Sequence, residues 1–379
     1  MALQWLTLVA SIWLQSINGT NSNFPAYSSE LKKILSISQL HLNNLAFASD
    51  AGKLLGWISG LAAAYFPLWL VLLIGSLLGL VGYGLQYLFL TNQLTSLSYI
   101  HIFILTLLAG NSICWINTVC YILAIQNFPL DRQIAIGLST SYVGLSAKIY
   151  TDTVDVIAPS SSLDRAKYFL LFNSILPLLV CIVAAPFARD IVNVGKSKKL
   201  AGGFLTIFVI TIFTGIFAVV TCLDSVTSRL SLSPLVVLFG MVLFLLLPLV
   251  TPLVENIREK MQHKCLIRVY DEGLASTYAA SSMENGAKFD NEEGTIRDLV
   301  EFGVLEEVGP KVMLRRVEFW LYFFVYFFGA TLGLVYLNNL GQIAESRGCS
   351  GISSLVSLSS AFGFFGRLLP SLLDYFFST

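Results

Sequence analysis

Runs of about 20 apolar residues, the length that crosses the hydrocarbon core of a bilayer as one α-helix, recur from one end of this chain to the other. They are Leu3 to Phe24, His41 to Phe66, Pro67 to Leu90, Ile100 to Gln126, Gln133 to Ile157, Tyr168 to Ala188, Phe204 to Leu223, Leu232 to Leu253, Phe319 to Leu340 and Ile352 to Phe377. The fifth is the most polar, rich in glycine and serine. In lipid every backbone N–H and C=O must find a partner within the chain, and helices satisfy that need segment by segment. The expected fold is therefore an all-α polytopic membrane protein, a helical bundle of about ten transmembrane helices.

Composition agrees. Of 379 residues 55% are hydrophobic and 12% charged, about half the charge of a soluble domain. Lysine plus arginine balances aspartate plus glutamate at 23 each, so no charge excess points to nucleic acid. Six cysteines (Cys114, Cys120, Cys181, Cys222, Cys265, Cys349) occur without a C-x-x-C pair, which argues against a disulfide framework. Three widely spaced histidines (His41, His101, His263) give a metal site little to build on, so no metal or other cofactor is expected. The first 20 residues have the apolar run of a signal peptide but neither a basic start nor an A-x-A-like end, and read as the first span.

Orientation follows from lysine and arginine in short loops. The loop after the sixth span carries Arg189, Lys196, Lys198 and Lys199 against Asp190, which makes it cytoplasmic. An even number of crossings precedes it, so the N-terminus is cytoplasmic, and so is the polar segment 254–318 after the eighth span. That segment has an acidic middle between basic ends (Arg258, Lys260, Lys264, Arg268; Lys311, Arg315, Arg316) and reads as a solvated linker.

Shifting the chain by 310 residues lays Gly56, Tyr65 and Phe66 on Gly366, Tyr375 and Phe376, and likewise Gly19 on Gly329 and Ser36 on Ser346. Spans one and two thus pair with spans nine and ten, a parallel repeat of the kind carried by transporters built from two halves.

Three long stretches then carry a resemblance: W-x-x-L-V-A-S-I-W-L-Q-S-x-N-G-T-N-x-N-F-x-A-Y-S-S-x-L-K (Trp5 to Lys32), ISQLHLNNLAFASDAGKLLGW (Ile37 to Trp57), and F-P-x-x-R with G-x-x-x-S-Y-V-G-L-S-A-x-I-Y (Phe128 to Tyr150). They resemble the plant nodulin-like major facilitator proteins. NLGQIAES (Asn339 to Ser346) and FGRLLPSLLDYF (Phe365 to Phe376) look like the start of that family's second half. The resemblance implies a nodulin-like region over 1–253, its first six spans forming one major facilitator half; a cytoplasmic linker over 254–318; and the first two helices of the C-terminal half over 319–379. Members of the family continue for several more helices, so the chain reads as one with an incomplete second half. The implied function is alternating-access transport of a small solute across the bilayer, with proton coupling, rather than enzymatic catalysis. The rival is a non-transporting sensor or a partner in a homo- or hetero-oligomer. One departure stands out: where the family has Lys-Gly-Tyr before V-G-L-S, this chain has Thr140-Ser141-Tyr142, and a lysine follows at Lys148.

Charges inside spans are costly and mark functional positions. Asp50 and Lys53 lie i,i+3 on one face of span two, and read either as a structural ion pair or as a substrate or proton-coupling site. Lys148 in span five lies within reach of Asp50 across the half-bundle, or snorkels outward beside Asp152. The outward course is the one its position favours. In span four Asn111, Trp115 and Thr118 share a helical face, lining a polar cavity or bonding a neighbouring helix. Gly137, Ser141, Gly144 and Ala147 form a small-residue stripe that permits close helix packing. The resemblance also implies a Gly-x-x-x-Asp gating motif after span two, here degenerate: Gly60 keeps the glycine but Ala64 replaces the acid. In the second copy, past Arg367, Pro370 takes the glycine position while Asp374 keeps the acid. Asn18-Gly19-Thr20 is a glycosylation sequon too close to the bilayer for ready use.

Overall fold

The structure is a computed structural model that describes residues 2–94, 97–158, 161–189, 201–223, 227, 231–258, 260–261, 310–348 and 352–377. Every regular element among them is helical. Most of the basic loop used to orient the chain, most of the 254–318 linker, His263, Cys265 and Cys349 lie outside the described residues. The helices are α1 Ala2–Asn18, α2 Phe24–Leu35, α3 Gln39–Leu54, α4 Trp57–Tyr65, α5 Leu68–Leu90, α6 Tyr99–Asn127, α7 Arg132–Ser141, α8 Ser146–Ile157, α9 Ser162–Ala184, α10 Ala201–Cys222, α11 Pro234–Leu246, α12 Pro310–Met313, α13 Val317–Asn338, α14 Leu340–Ser346 and α15 Ile352–Phe377.

Local chemistry sets the boundaries. Serines accept the orphan N–H groups of first turns: Ser38 from His41 at 3.3 Å, Ser161 from Asp164 at 3.3 Å, and Ser233 from Val236 at 3.4 Å with Pro234 opening the helix. Ser98 and His101 cap each other reciprocally at the head of α6. Pro67 holds Phe66 in the extended region, which ends α4 before α5 begins. α2 closes on Ser36 in the left-handed conformation, φ 51°.

Seven helical stretches among the described residues are long and apolar enough to span a bilayer: Leu68–Leu90, Tyr99–Asn127, Ser162–Phe187, Gly203–Cys222, Pro234–Arg258, Val317–Asn338 and Ser354–Phe377. The other three expected spans are helical but interrupted. Span one breaks at Gly19 into a 3-10 turn, Thr20–Asn23, before α2. Span two breaks at Leu55 and Gly56 between α3 and α4. Span five tightens to a 3-10 turn, Tyr142–Leu145, between α7 and α8. The two glycines matched by the repeat also differ in place: Gly19 sits at a break, where a Cβ would meet Ser146, whereas Gly329 lies inside α13 with open space around it.

The chain divides into two compact units, Met1–Pro252 with Leu334–Thr379, and Leu253–Gly333. In the first, one buried cluster joins Trp5, Phe128, Tyr142, Phe204 and Phe364. Gly203 leaves room for the Trp5 indole, where a Cβ would come within 2.2 Å of the ring, and Tyr142 meets Phe364 edge to face at 5.5 Å. A second cluster gathers Tyr27, Tyr83, Tyr150 and Phe169. In the second unit, α13 carries a ladder of rings at helical spacing, with Phe319 on Phe323 and Phe323 on Phe327. Trp320 donates to the Leu314 carbonyl at 2.9 Å.

Candidate functional site

Two glycines bring α3 and α6 into backbone contact. A Cβ on Gly110 would lie 1.9 Å from the Ser49 carbonyl oxygen, and one on Gly52 2.0 Å from that of Leu107. At this approach polar groups on α6 reach the α3 backbone: Asn111 donates to the Gly52 carbonyl at 3.0 Å while accepting from the Trp115 indole at 2.9 Å, and the Cys114 thiol faces the Lys53 carbonyl at 3.6 Å. Thr118 bonds Ser59 of α4 at 2.6 Å. The expected face Asn111, Trp115 and Thr118 is thus a seam of hydrogen bonds between helices, each of its polar groups partnered.

Asp50 and Lys53, on α3, form an ion pair of 2.7 Å with each side chain about a quarter exposed. The second oxygen of Asp50 is taken as well, by the Asn338 amide at the end of α13, at 2.9 Å. This residue from the second half was not foreseen. The only signal for it was a polar doublet, Asn338-Asn339, closing an apolar run.

The breaks in spans one and five lie against each other. Gly19 packs on Val143 and Ser146, and Tyr150 donates to the Ile17 carbonyl at 3.0 Å, satisfying an acceptor that the end of α1 leaves without a helical partner. Asn18, only 1% exposed, donates to the Ile113 carbonyl and to Asn117, so the sequon asparagine is committed to the interior. Tyr83 donates to Thr20 at 3.0 Å, and Asn23 to Asn173 at 2.8 Å. Beside these breaks is a cavity of about 90 Å³, lined by Asn21 and Ser22, by Val143 and Gly144, and by Asn338, Ser360 and Arg367 among others.

The small-residue stripe lies against α15. A Cβ on Gly144 would come within 2.4 Å of the Phe364 backbone nitrogen, and Ser360 donates to the Gly144 carbonyl. Gly137 meets Ser371, Ala147 packs with Leu340 and Val356, and Ser141 is fully buried. Of the degenerate gating residues, Gly60 lies on α4 with open space where a side chain would be, Arg367 lines the cavity, and Asp374 is exposed near the end of α15.

The nodulin-like family model matches residues 4–253, and that of the NFD4 C-terminal domain matches residues 301–379. The chain belongs to the nodulin-like family. It is 38% identical to Protein NUCLEAR FUSION DEFECTIVE 4 of Arabidopsis thaliana over 388 residues, covering 98% of this chain and 64% of that relative. The nodulin-like chain therefore spans less than two thirds of the relative's length. No solved structure matches. It is an integral, multi-pass membrane protein.

Within this nodulin-like protein Lys148 corrects the sequence reading. It does not snorkel: it is 3% exposed, and its ammonium donates to Asp152 at 2.6 Å and to the Thr221 carbonyl at 3.4 Å. Nor does it meet Asp50. The i,i+4 spacing on α8 supplies a counter-charge one turn away and the last turn of α10 supplies a carbonyl, so the ammonium is satisfied without reaching water. Asp152, named from the sequence only as the neighbour of Lys148, is buried with it, 4% exposed. Among the described residues no group of three or more His, Cys, Asp or Glu side chains is placed to hold a metal, and the cysteines form no disulfide.

Proposed function

We propose that this protein is a secondary carrier that moves a small solute across a bilayer by alternating access, coupled to protons. The observation that carries the reading is the cavity of about 90 Å³ walled on one side by the breaks in spans one and five and on the other by residues of α13 and α15. Interrupted helices expose backbone groups where a solute can use them, and in carriers built from repeats the solute site lies where the repeats meet. The domain boundaries read from the sequence belong to the same proposal, with residues 1–253 holding the first half and 254–318 a linker on the cytoplasmic side, together with the N-terminus.

The test is uptake of a panel of labelled small solutes into proteoliposomes containing the 379-residue chain, with and without a pH gradient, beside Ser22→Phe, which places a ring in the cavity. Accumulation that the gradient drives and Ser22→Phe abolishes, with folding intact, supports the carrier. A folded chain that accumulates nothing favours the sensor or assembly-partner reading.

A further inference from the structure

A second cavity, of about 140 Å³, lies between α8, α10, α11 and α15 and is lined by Lys148, Thr151, Asp152, Thr221, Pro234 and Ser357 among others. Among the described residues, three buried polar atoms on its wall have no hydrogen-bond partner: Asp152 Oδ2, Thr151 Oγ1 and Ser357 Oγ. Their residues are 4%, 4% and 2% exposed. Buried polar atoms in a folded protein are nearly always paired, and a half-paired carboxylate is the costliest kind to leave. Lys148 occupies the other carboxylate oxygen at 2.6 Å, so the carboxyl group is enclosed and open on one side only.

We propose that Asp152 is the proton-binding residue of this protein. A proton delivered by water in the cavity bonds to Oδ2, and the new hydroxyl donates to Thr151 or Ser357. The carboxylate becomes neutral while Lys148 stays an ammonium, so its bond to Oδ1 falls from a charge pair to a single charge-assisted contact. The ammonium is then held chiefly by the Thr221 carbonyl at the end of α10, and α8 is loosened from its own ion pair.

A proton fits this site better than a metal cation. The donors are all oxygen, as sodium would require, but an ammonium already touches the same carboxylate, and a second full positive charge there would meet strong repulsion in a low-dielectric interior. The surroundings hold little to compete. Asp155, on the same helix, is paired with Arg165 of α9 at 2.6 Å. The wall groups from α10, α11 and α15 are hydroxyls, the Cys222 thiol and apolar side chains. Asp50, by contrast, has both oxygens engaged.

The use of this proton in coupling rests on the carrier reading; its binding does not. The experiment is pH-difference infrared spectroscopy of the full chain in lipid nanodiscs. The wild type is expected to show a protonated-carboxyl band that grows as pH falls, is lost in Asp152→Asn and persists in Asp50→Asn. Lys148→Gln is expected to raise the midpoint of that band by about 1 to 3 pH units, since it removes a neighbouring opposite charge. Should Asp152→Asn fold poorly, Thr151→Val with Ser357→Ala is expected to shift the midpoint in its place. A band untouched by Asp152→Asn, or by the hydroxyl variants where that one fails to fold, overturns the proposal. So does a band that responds to sodium in place of choline at fixed pH. Uptake without the band would overturn this assignment alone, and the band without uptake would overturn the carrier alone.

Discussion

The Asn338 side-chain amide donates to Asp50 Oδ2 at 2.9 Å, across 288 positions of sequence, while Lys53 holds Oδ1 of the same carboxylate. Three residues on two helices thus share one charge. Asp50→Ala and Asn338→Ala are each expected to lower stability by about 1 kcal/mol, and the double variant by less than the sum, since both remove the same contact. Thermal unfolding in detergent reads this as a cycle; strict additivity would mean that the bond contributes nothing.

Gly110 and Gly52 are expected to be intolerant in a way that Gly60 is not. A methyl on Gly110 collides with the Ser49 backbone and one on Gly52 with the Leu107 backbone, neither of which can move without parting α3 from α6. Gly110→Ala is expected to cost at least about 1–3 kcal/mol. Gly60→Ala, in open space on α4, is expected to be neutral or to stabilise by up to about 1 kcal/mol from helix propensity. Equal melting temperatures for the two variants would show that the close approach is unimportant.

Along the span-five stripe two glycines are expected to differ. Alanine at Gly144 meets the backbone of Phe364, while alanine at Gly137 meets first the Ser371 hydroxyl, which can rotate away. Gly144→Ala is therefore the more damaging, by about 1 kcal/mol or more. Ser371→Ala is expected to recover part of the loss in Gly137→Ala and none of that in Gly144→Ala. A chemical-denaturation series of the five chains distinguishes these outcomes.

Tyr150→Phe removes one hydroxyl and leaves the Ile17 carbonyl without its partner in the interior. The expected cost is about 1 kcal/mol, in the range of hydrogen bonds between membrane helices. Faster hydrogen exchange at residues 19–23, with exchange at α5 unchanged, is the accompanying signature. Unaltered exchange at the break would show that the tyrosine does not hold it.

The long rods were legible because each is a single apolar run, some with a cap or proline at the head, as at Ser98 or Pro67. The break in span five was not, because the 3-10 turn Tyr142–Leu145 is itself apolar, and hydropathy records composition alone. The Asp50–Lys53 pair could be read from its i,i+3 spacing, whereas Asn338 could not, its partner being distant in sequence. Lys148 was misread for a related reason: the Thr221 carbonyl that helps retain it is a backbone group, and no side-chain pattern advertises one.

The stripe on span five also sets a schedule for synthesis. Gly144 and Ser360, which seal it, are 216 residues apart, so at ribosomal speeds of about 5–20 residues per second the stripe waits on the order of 10 to 40 seconds for its cover. During that interval the half-made bundle presents Gly137 to Ala147 to whatever shares its membrane. Assembly of this protein is therefore a matter of timing as much as of affinity, and slowing translation between residues 150 and 350 would lengthen the exposure in proportion.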